Sequence, residues 1–159
     1  AMHRDTFRVH YIYGFSHNKF SYFVSVQKEN PSTASYISKL IRVCQADKDY
    51  YSYAEVQLKC MVNGTYYNLV QAAYVSKAGY GLAEDMHIMD DEDVLYVVCS
   101  IGIPNTVIPF SVSALCVYPL GTVRKIFTDN IKACFSGIGK TGPSPITTEV
   151  ACQNMNSVI

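Results

Sequence analysis

Between Phe20 and Gln27 the chain alternates: Phe20, Tyr22, Val24 and Val26 fall on one side, while Ser21, Ser25 and Gln27 fall on the other with Phe23. A period of two puts every second side chain on the same face of an extended strand, so this stretch reads as a half-buried strand of a sheet. The same rhythm precedes it from Arg8 to Phe15, where Val9, Tyr11, Tyr13 and Phe15 share a side. Ser16-His17-Asn18-Lys19 supplies the turn of a hairpin. A third strand is expected from about Tyr36 to Cys44, after the breaker Asn30-Pro31-Ser32, and a fourth from Tyr53 to Cys60. In the fourth, Ala54, Val56, Leu58 and Cys60 oppose Glu55, Gln57 and Lys59. These four strands make one antiparallel sheet.

The pattern then restarts. Asn68 to Ser76, Val94 to Ile101 and Val112 to Tyr118 read as strands, the middle one apolar on both faces and therefore buried. A helix follows from Thr122, its expected N-cap, to Ala133, with Val123, Ile126, Phe127 and Ile131 on one face and Arg124, Lys125 and Lys132 in water. Sheets that recur over units of about 40 to 50 residues point to a propeller, in which each unit buries a face against its neighbours. The second unit is unfinished when the helix arrives.

Composition narrows the functional classes. Thirteen basic and 13 acidic residues cancel, so no net field gathers nucleic acid or an anionic membrane surface. With 13 Tyr, 7 Phe and no Trp, the aromatic content favours strands. No apolar run approaches the roughly 20 residues of a membrane helix, and no export signal opens the chain. Met stands second, in Ala1-Met2-His3, as expected of an excised piece of a longer protein.

Several local patterns bear on chemistry. Gly139, Lys140 and Thr141 fit the end of the phosphate-cradling pattern G-x-x-x-x-G-K-[ST]. However, Cys134 stands where the first glycine belongs, a helix precedes, and Pro143 and Pro145 follow, so a turn-rich loop is the expectation and nucleotide binding the remote alternative. Asp90-Asp91-Glu92-Asp93 lacks the alternate-position carboxylates and glycine of a calcium loop and reads as a solvated turn. His3, His10, His17 and His87 form no metal set and read as surface residues. The six cysteines, at 44, 60, 99, 116, 134 and 152, include no Cys-x-x-Cys, which argues against zinc. With no histidine in a recognisable catalytic string, structural cysteines are expected over a Cys-His thiol enzyme. Asn63-Gly64-Thr65 is an acceptor sequon for N-linked glycan, whereas Asn30-Pro31-Ser32 fails through its proline.

Longer strings resemble a known family. Arg42-Val43-Cys44, Tyr50-Tyr51-Ser52-Tyr53-Ala54-Glu55, Cys60 and the run LVQAAYVSKAG at 69–79 look like the sema domain of plexins. Asp90 to Leu95 and Ser113-Ala114-Leu115-Cys116 continue the match, and the opening DTFRVHYIYGF at 5–15 tilts it towards plexins within a group that includes hepatocyte growth factor receptors and semaphorins. The resemblance is most evident from Asp5 to Cys134. It implies an all-β fold, part of an extracellular seven-bladed propeller with an inserted helix: one blade over 5–62, part of the next over 66–118, the helix over 122–133, and a disulfide-tied loop and tail over 134–159.

The resemblance also implies disulfides Cys60–Cys116 and Cys134–Cys152, whose loops are worth about 4 and about 3 kcal/mol in a chain-entropy model. Cys44 would pair outside the chain, and Cys99 departs from the pattern, leaving a Cys44–Cys99 pair or a free buried Cys99 open. Functionally it implies a non-enzymatic, cofactor-free segment of a single-pass receptor on the outer face of the plasma membrane. The implied partners are a semaphorin-type ligand and other receptor or sema ectodomains, acting in cell and axon guidance. The alternatives are the same domain in a growth-factor receptor tyrosine kinase or in a semaphorin, and more remotely a nucleotide-binding protein.

Overall fold

A computed structural model describes residues 7–141, 150–152 and 154. The alternation of the first part becomes a four-stranded antiparallel meander: β1 (Val9–His17), β2 (Phe20–Lys28), β3 (Tyr36–Cys44) and β4 (Ala54–Gln57) pair in chain order. Asn18 and Lys19, with φ of 47° and 66°, close the first hairpin in a two-residue turn whose left-handed backbone suits the twist of the strands. Pairing sets Val24 opposite Leu40 and Tyr22 opposite Arg42. One face therefore carries Tyr22, Val24, Val26, Leu40, Ala54 and Val56 into the core.

Two expectations for this sheet are corrected. Ser25, Gln27, Lys39 and Ile41 lie on its far face and are buried as well, so β2 is buried on both sides except at Phe23, which is 37% exposed. In β1, a bulge between Tyr11 and Tyr13 adds a residue and reverses the alternation beyond it. Tyr13 and Phe15 consequently pack on the core, while Tyr11 turns to the far face and meets the Phe23 ring edge-on at 5.9 Å.

β4 stops at Gln57, short of the strand expected to reach Cys60. There the chain forms a small hairpin of β5 (Cys60–Val62) and β6 (Thr65–Tyr67). Its two-residue turn, Asn63-Gly64, has φ of 49° and 77°. β7 (Leu69–Lys77) opens the second sheet, and α1 (Gly79–Met86) intervenes before β8 (Asp93–Gly102) and β9 (Pro109–Pro119) complete it in the order β7-β8-β9. α1 was not foreseen: it is one short element with glycines at both 79 and 81 and buries only Ala83, so it lacks the repeated apolar spacing that announces a helix. β8 buries Leu95, Val97 and Cys99 on its core side. On its other side Val94 is buried but Val98 is 36% exposed, so the expected burial of both faces fails mid-strand.

α2 (Leu120–Phe135) begins two residues before the expected cap at Thr122, and no side chain of its own caps it. Glu92 does so from the loop before β8: its Oε1 accepts the Gly121 N–H at 3.1 Å. Leu120, Val123 and Phe127 are buried, but Ile126 and Ile131 are 45% and 50% exposed, a narrower apolar stripe than the sequence suggests. A short antiparallel pair, β10 (Lys140–Thr141) and β11 (Val150–Ala151), follows.

The sheets pack face to face, with β7 against β1, β2 and β3. Polar links set their alignment, among them the Asn68 Nδ2 bond to Tyr36 O at 2.9 Å. Ser38 Oγ donates to Asn68 O and accepts the Val70 N–H, both at 2.8 Å. The Val75 N–H reaches Tyr13 OH at 3.4 Å. At the far end His17 Nε2 lies 3.4 Å from Asp93, which also pairs with Lys77 at 2.8 Å; His17 is thus an inter-sheet contact where a free surface histidine was expected, and Asp93 is engaged where a solvated turn was. Within the second sheet, a Cβ at Gly102 would sit 2.6 Å from the Leu69 side chain, which would have to shift to admit one.

Candidate binding surface and its covalent frame

Cys60 in β5 is joined to Cys116 in β9 across 56 residues, stapling the small hairpin to the second sheet. Cys134, near the end of α2, is joined to Cys152, just past β11, across 18 residues. A Cys44–Cys99 bond is not formed: both are free, Cys44 half-buried and Cys99 buried. Burial pushes the Cys99 thiol up to about 11, which keeps it neutral and a poor nucleophile at ordinary pH.

A cleft of about 1030 Å³ separates the first sheet from the end of α2 and the disulfide-tied loop. Its sheet side is formed by Lys39, Tyr53, Glu55 and Gln57, and its helix side includes Ile131, Phe135 and Ile138. The sheet side is a connected polar network: Lys39 Nζ bonds Glu55 Oε1 at 2.6 Å, while Gln27 Nε2 and Tyr53 OH donate to Glu55 Oε2 at 3.2 and 3.0 Å. Ser25 Oγ in turn donates to Gln27 Oε1 at 3.3 Å. Burial, reinforced by the Glu55 charge, drives the Tyr53 hydroxyl strongly upward from its usual range, so it stays a donor. Such a network orders a surface. Every charged group in it is already paired, so it offers no free acid, base or nucleophile.

The rim opposite is apolar and exposed: Phe135 is 52% and Ile138 68% exposed, and Tyr51 at the sheet side 89%. On the core face of the same sheet, outside the cleft, the Arg42 guanidinium lies 4.3 Å from the Phe20 ring centroid and 4.4 Å from that of Phe127. Aromatic rings on both sides stabilise a buried cation and tie α2 to the first sheet.

The structure does not bring the remaining sequence candidates together. Lys140 and Thr141 lie in β10, and Gly139 O accepts the Cys152 N–H at 3.0 Å. A strand therefore follows the glycine where a phosphate cradle has a helix N-terminus. Pro143 and Pro145 lie outside the described residues, as does His3. His10 and His87 are exposed. Among the described residues no three His, Cys, Asp or Glu side chains are grouped to hold a metal, and no helix is long and apolar enough to cross a membrane. Asn63 is exposed at the hairpin tip.

No family model matches the chain. Similarity to individual proteins is extensive. The chain is 35% identical over 156 residues to plexin A3 of Danio rerio, 41% over 145 residues to plexin-A4 of the same organism, and 36% over 140 residues to human plexin-A4. Those alignments take in 93%, 84% and 84% of the chain but only 8%, 8% and 7% of the relatives' own lengths. Among solved structures, the plexin A4 full extracellular region superposes with a TM-score of 0.81 at 34% identity, over 92% of this chain and 17% of that one. The extracellular domains 1-2 of Drosophila semaphorin 1a superpose at 0.58 with 18% identity, over 92% and 28%, a likeness of fold alone. Two face-packed meanders, an inserted helix and this similarity together show part of a sema-domain β-propeller, similar over most of its length to the extracellular region of plexins.

Proposed function

We propose that this chain is a ligand-binding segment of a plexin-like cell-surface receptor, which takes a semaphorin-type protein on the outer face of the plasma membrane and signals in cell and axon guidance. The observation that carries this reading is the match to the plexin A4 extracellular region, where fold and sequence agree over 92% of the chain. Rigid, disulfide-tied sheets joined by surface loops are suited to protein recognition. The growth-factor receptor alternative receives no specific observation. A semaphorin identity is disfavoured by 18% identity against 34% for the plexin superposition.

On this reading Cys44, half-buried at the end of β3, pairs with a cysteine elsewhere in the parent protein. The test is surface plasmon resonance of the parent ectodomain over immobilised semaphorin ectodomains. Saturable binding to at least one of them supports the proposal. Absence of binding to every semaphorin class, by an ectodomain shown to be folded and oxidised, overturns it.

A further inference from the structure

We propose that Asn63 carries an N-linked glycan, held at a fixed position by the covalent frame of the second sheet. The inference rests on the extracellular reading above. Asn63-Gly64-Thr65 is the only Asn-x-Ser/Thr sequence in the 159 residues whose middle residue is not proline. A sequon alone is weak evidence, because the pattern arises by chance and is often buried. Here Asn63 occupies the first position of the turn between β5 and β6, with Gly64 the second, and both Asn63 and Thr65 are exposed. The turn type supplies a structural reason for Asn-Gly, since both positions need positive φ. It supplies none for Thr65, an exposed side chain at the start of β6 whose hydroxyl completes the sequon.

The hairpin is also fixed in place. Cys60 starts β5 and is bonded to Cys116, so a sugar on Asn63 is anchored three residues from a covalent staple to β9. Beside it, Met61 and Val62 are 53% and 37% exposed. This is apolar surface at the tip of a two-stranded hairpin, which a hydrated saccharide would shield. The chain order permits the modification: Cys116 follows Cys60 by 56 residues, which at synthesis rates of about 5 to 20 residues per second leaves roughly 3 to 11 s before the staple can form. In that interval the sequon is still extended and open to a transferase.

In the reaction, a bond forms between Asn63 Nδ2 and the anomeric carbon of N-acetylglucosamine in a lipid-pyrophosphate-linked oligosaccharide. The bond from that carbon to the pyrophosphate oxygen breaks, the lipid pyrophosphate leaves with the electron pair, and the amide nitrogen gives up one proton. No oxidant or reductant is involved.

The test is secretion of the parent ectodomain from animal cells, digestion with a peptide amidase that releases N-linked glycans, and mass spectrometry of the peptide containing Asn63. The expected result is a glycopeptide that collapses to one mass, with the Asn63 side chain converted to a carboxylate. Thr65→Ala and Thr65→Ser are the informative variants because they leave the turn intact, whereas Asn63→Gln places a residue less tolerant of positive φ at 49°. Thr65→Ala should lose the glycan completely and Thr65→Ser should keep it; where a variant is retained in the cell, the same peptide is read from the lysate. Secreted protein with the Cys60–Cys116 bond formed and an unmodified Asn63 overturns this inference while leaving the receptor reading standing. A glycan that persists in Thr65→Ala overturns it as well.

Discussion

The two sheets are built from the same antiparallel meander yet are closed differently. In the first, one face is buried against the second sheet, and the other is closed around the Lys39–Glu55 pair with Gln27, Ser25 and Tyr53 but open at Tyr11 and Phe23, 62% and 37% exposed. In the second, the core face is buried but the outer face shows Tyr74 at 64%, Leu115 at 61% and Val98 at 36% exposure. Among the described residues no strand pairs with the outer edge of β9. Alternation thus creates an apolar face in each sheet, but whether that face is covered depends on what is stacked against it, as expected of repeat units that bury their faces against neighbours.

The largest effect that would test this comparison lies where α2 joins the first sheet. Phe127 is 0% exposed and packs on Tyr22 and Arg42, so Phe127→Ala should cost about 3 to 5 kcal/mol. Ile131→Ala, on the exposed side of the same helix, should stay within about 0.5 kcal/mol. Urea titrations giving equal costs for the two would mean that α2 is not clamped to the sheet.

The far face comes next. Lys39→Met leaves Glu55 buried without its cation and should destabilise by about 3 kcal/mol, the low end for a broken buried pair because Gln27 and Tyr53 still donate to Glu55. Adding Glu55→Leu should recover most of the loss. If the double variant is as unstable as the single one, the network holds the face by something other than the ion pair.

A smaller effect separates the core side of the second sheet from its outer side. The Cys99 thiol ionises near 9.0 when unfolded and at about 11 when folded. The unfolded chain therefore loses its proton first, and this thiol's contribution to stability is intact below pH 9 and lost as pH rises from there towards 11. Melting temperatures across this range should fall more steeply for the parent sequence than for Cys99→Ala. Identical slopes would show that the thiol is not desolvated. Smallest of all, Leu115→Lys on the outer face should change stability by no more than about 0.5 kcal/mol, yet reduce concentration-dependent association in light scattering. Unchanged association would mean that the exposed apolar face is not the contact.

Much of this architecture is legible in the sequence because period-two alternation is a direct consequence of strand geometry. The four-stranded and three-stranded sheets and the apolar side of β2 follow from it. What escaped depends on single residues or distant partners. The bulge in β1 reverses two aromatic rings without any local mark. The burial of Lys39 is invisible until Glu55, 16 residues away, supplies its partner. The β5–β6 hairpin was available in principle, since Asn-Gly between short β segments is a strong turn signal, but its strands are only three residues each. The cap of α2 comes from Glu92, 29 residues before Gly121, which no reading of the helix itself reveals. The likeness to plexins was legible from longer strings, whereas the residues that touch a partner leave no periodic signature.

The proposal of an oxidised extracellular propeller fragment held by fixed staples is tested most directly by mapping the six cysteines. Non-reducing proteolysis and mass spectrometry of the secreted ectodomain should recover Cys60 linked to Cys116 and Cys134 linked to Cys152, with Cys99 as a free thiol released only on unfolding. Recovery of Cys60 and Cys116 both reduced, or joined to other cysteines, would contradict the account.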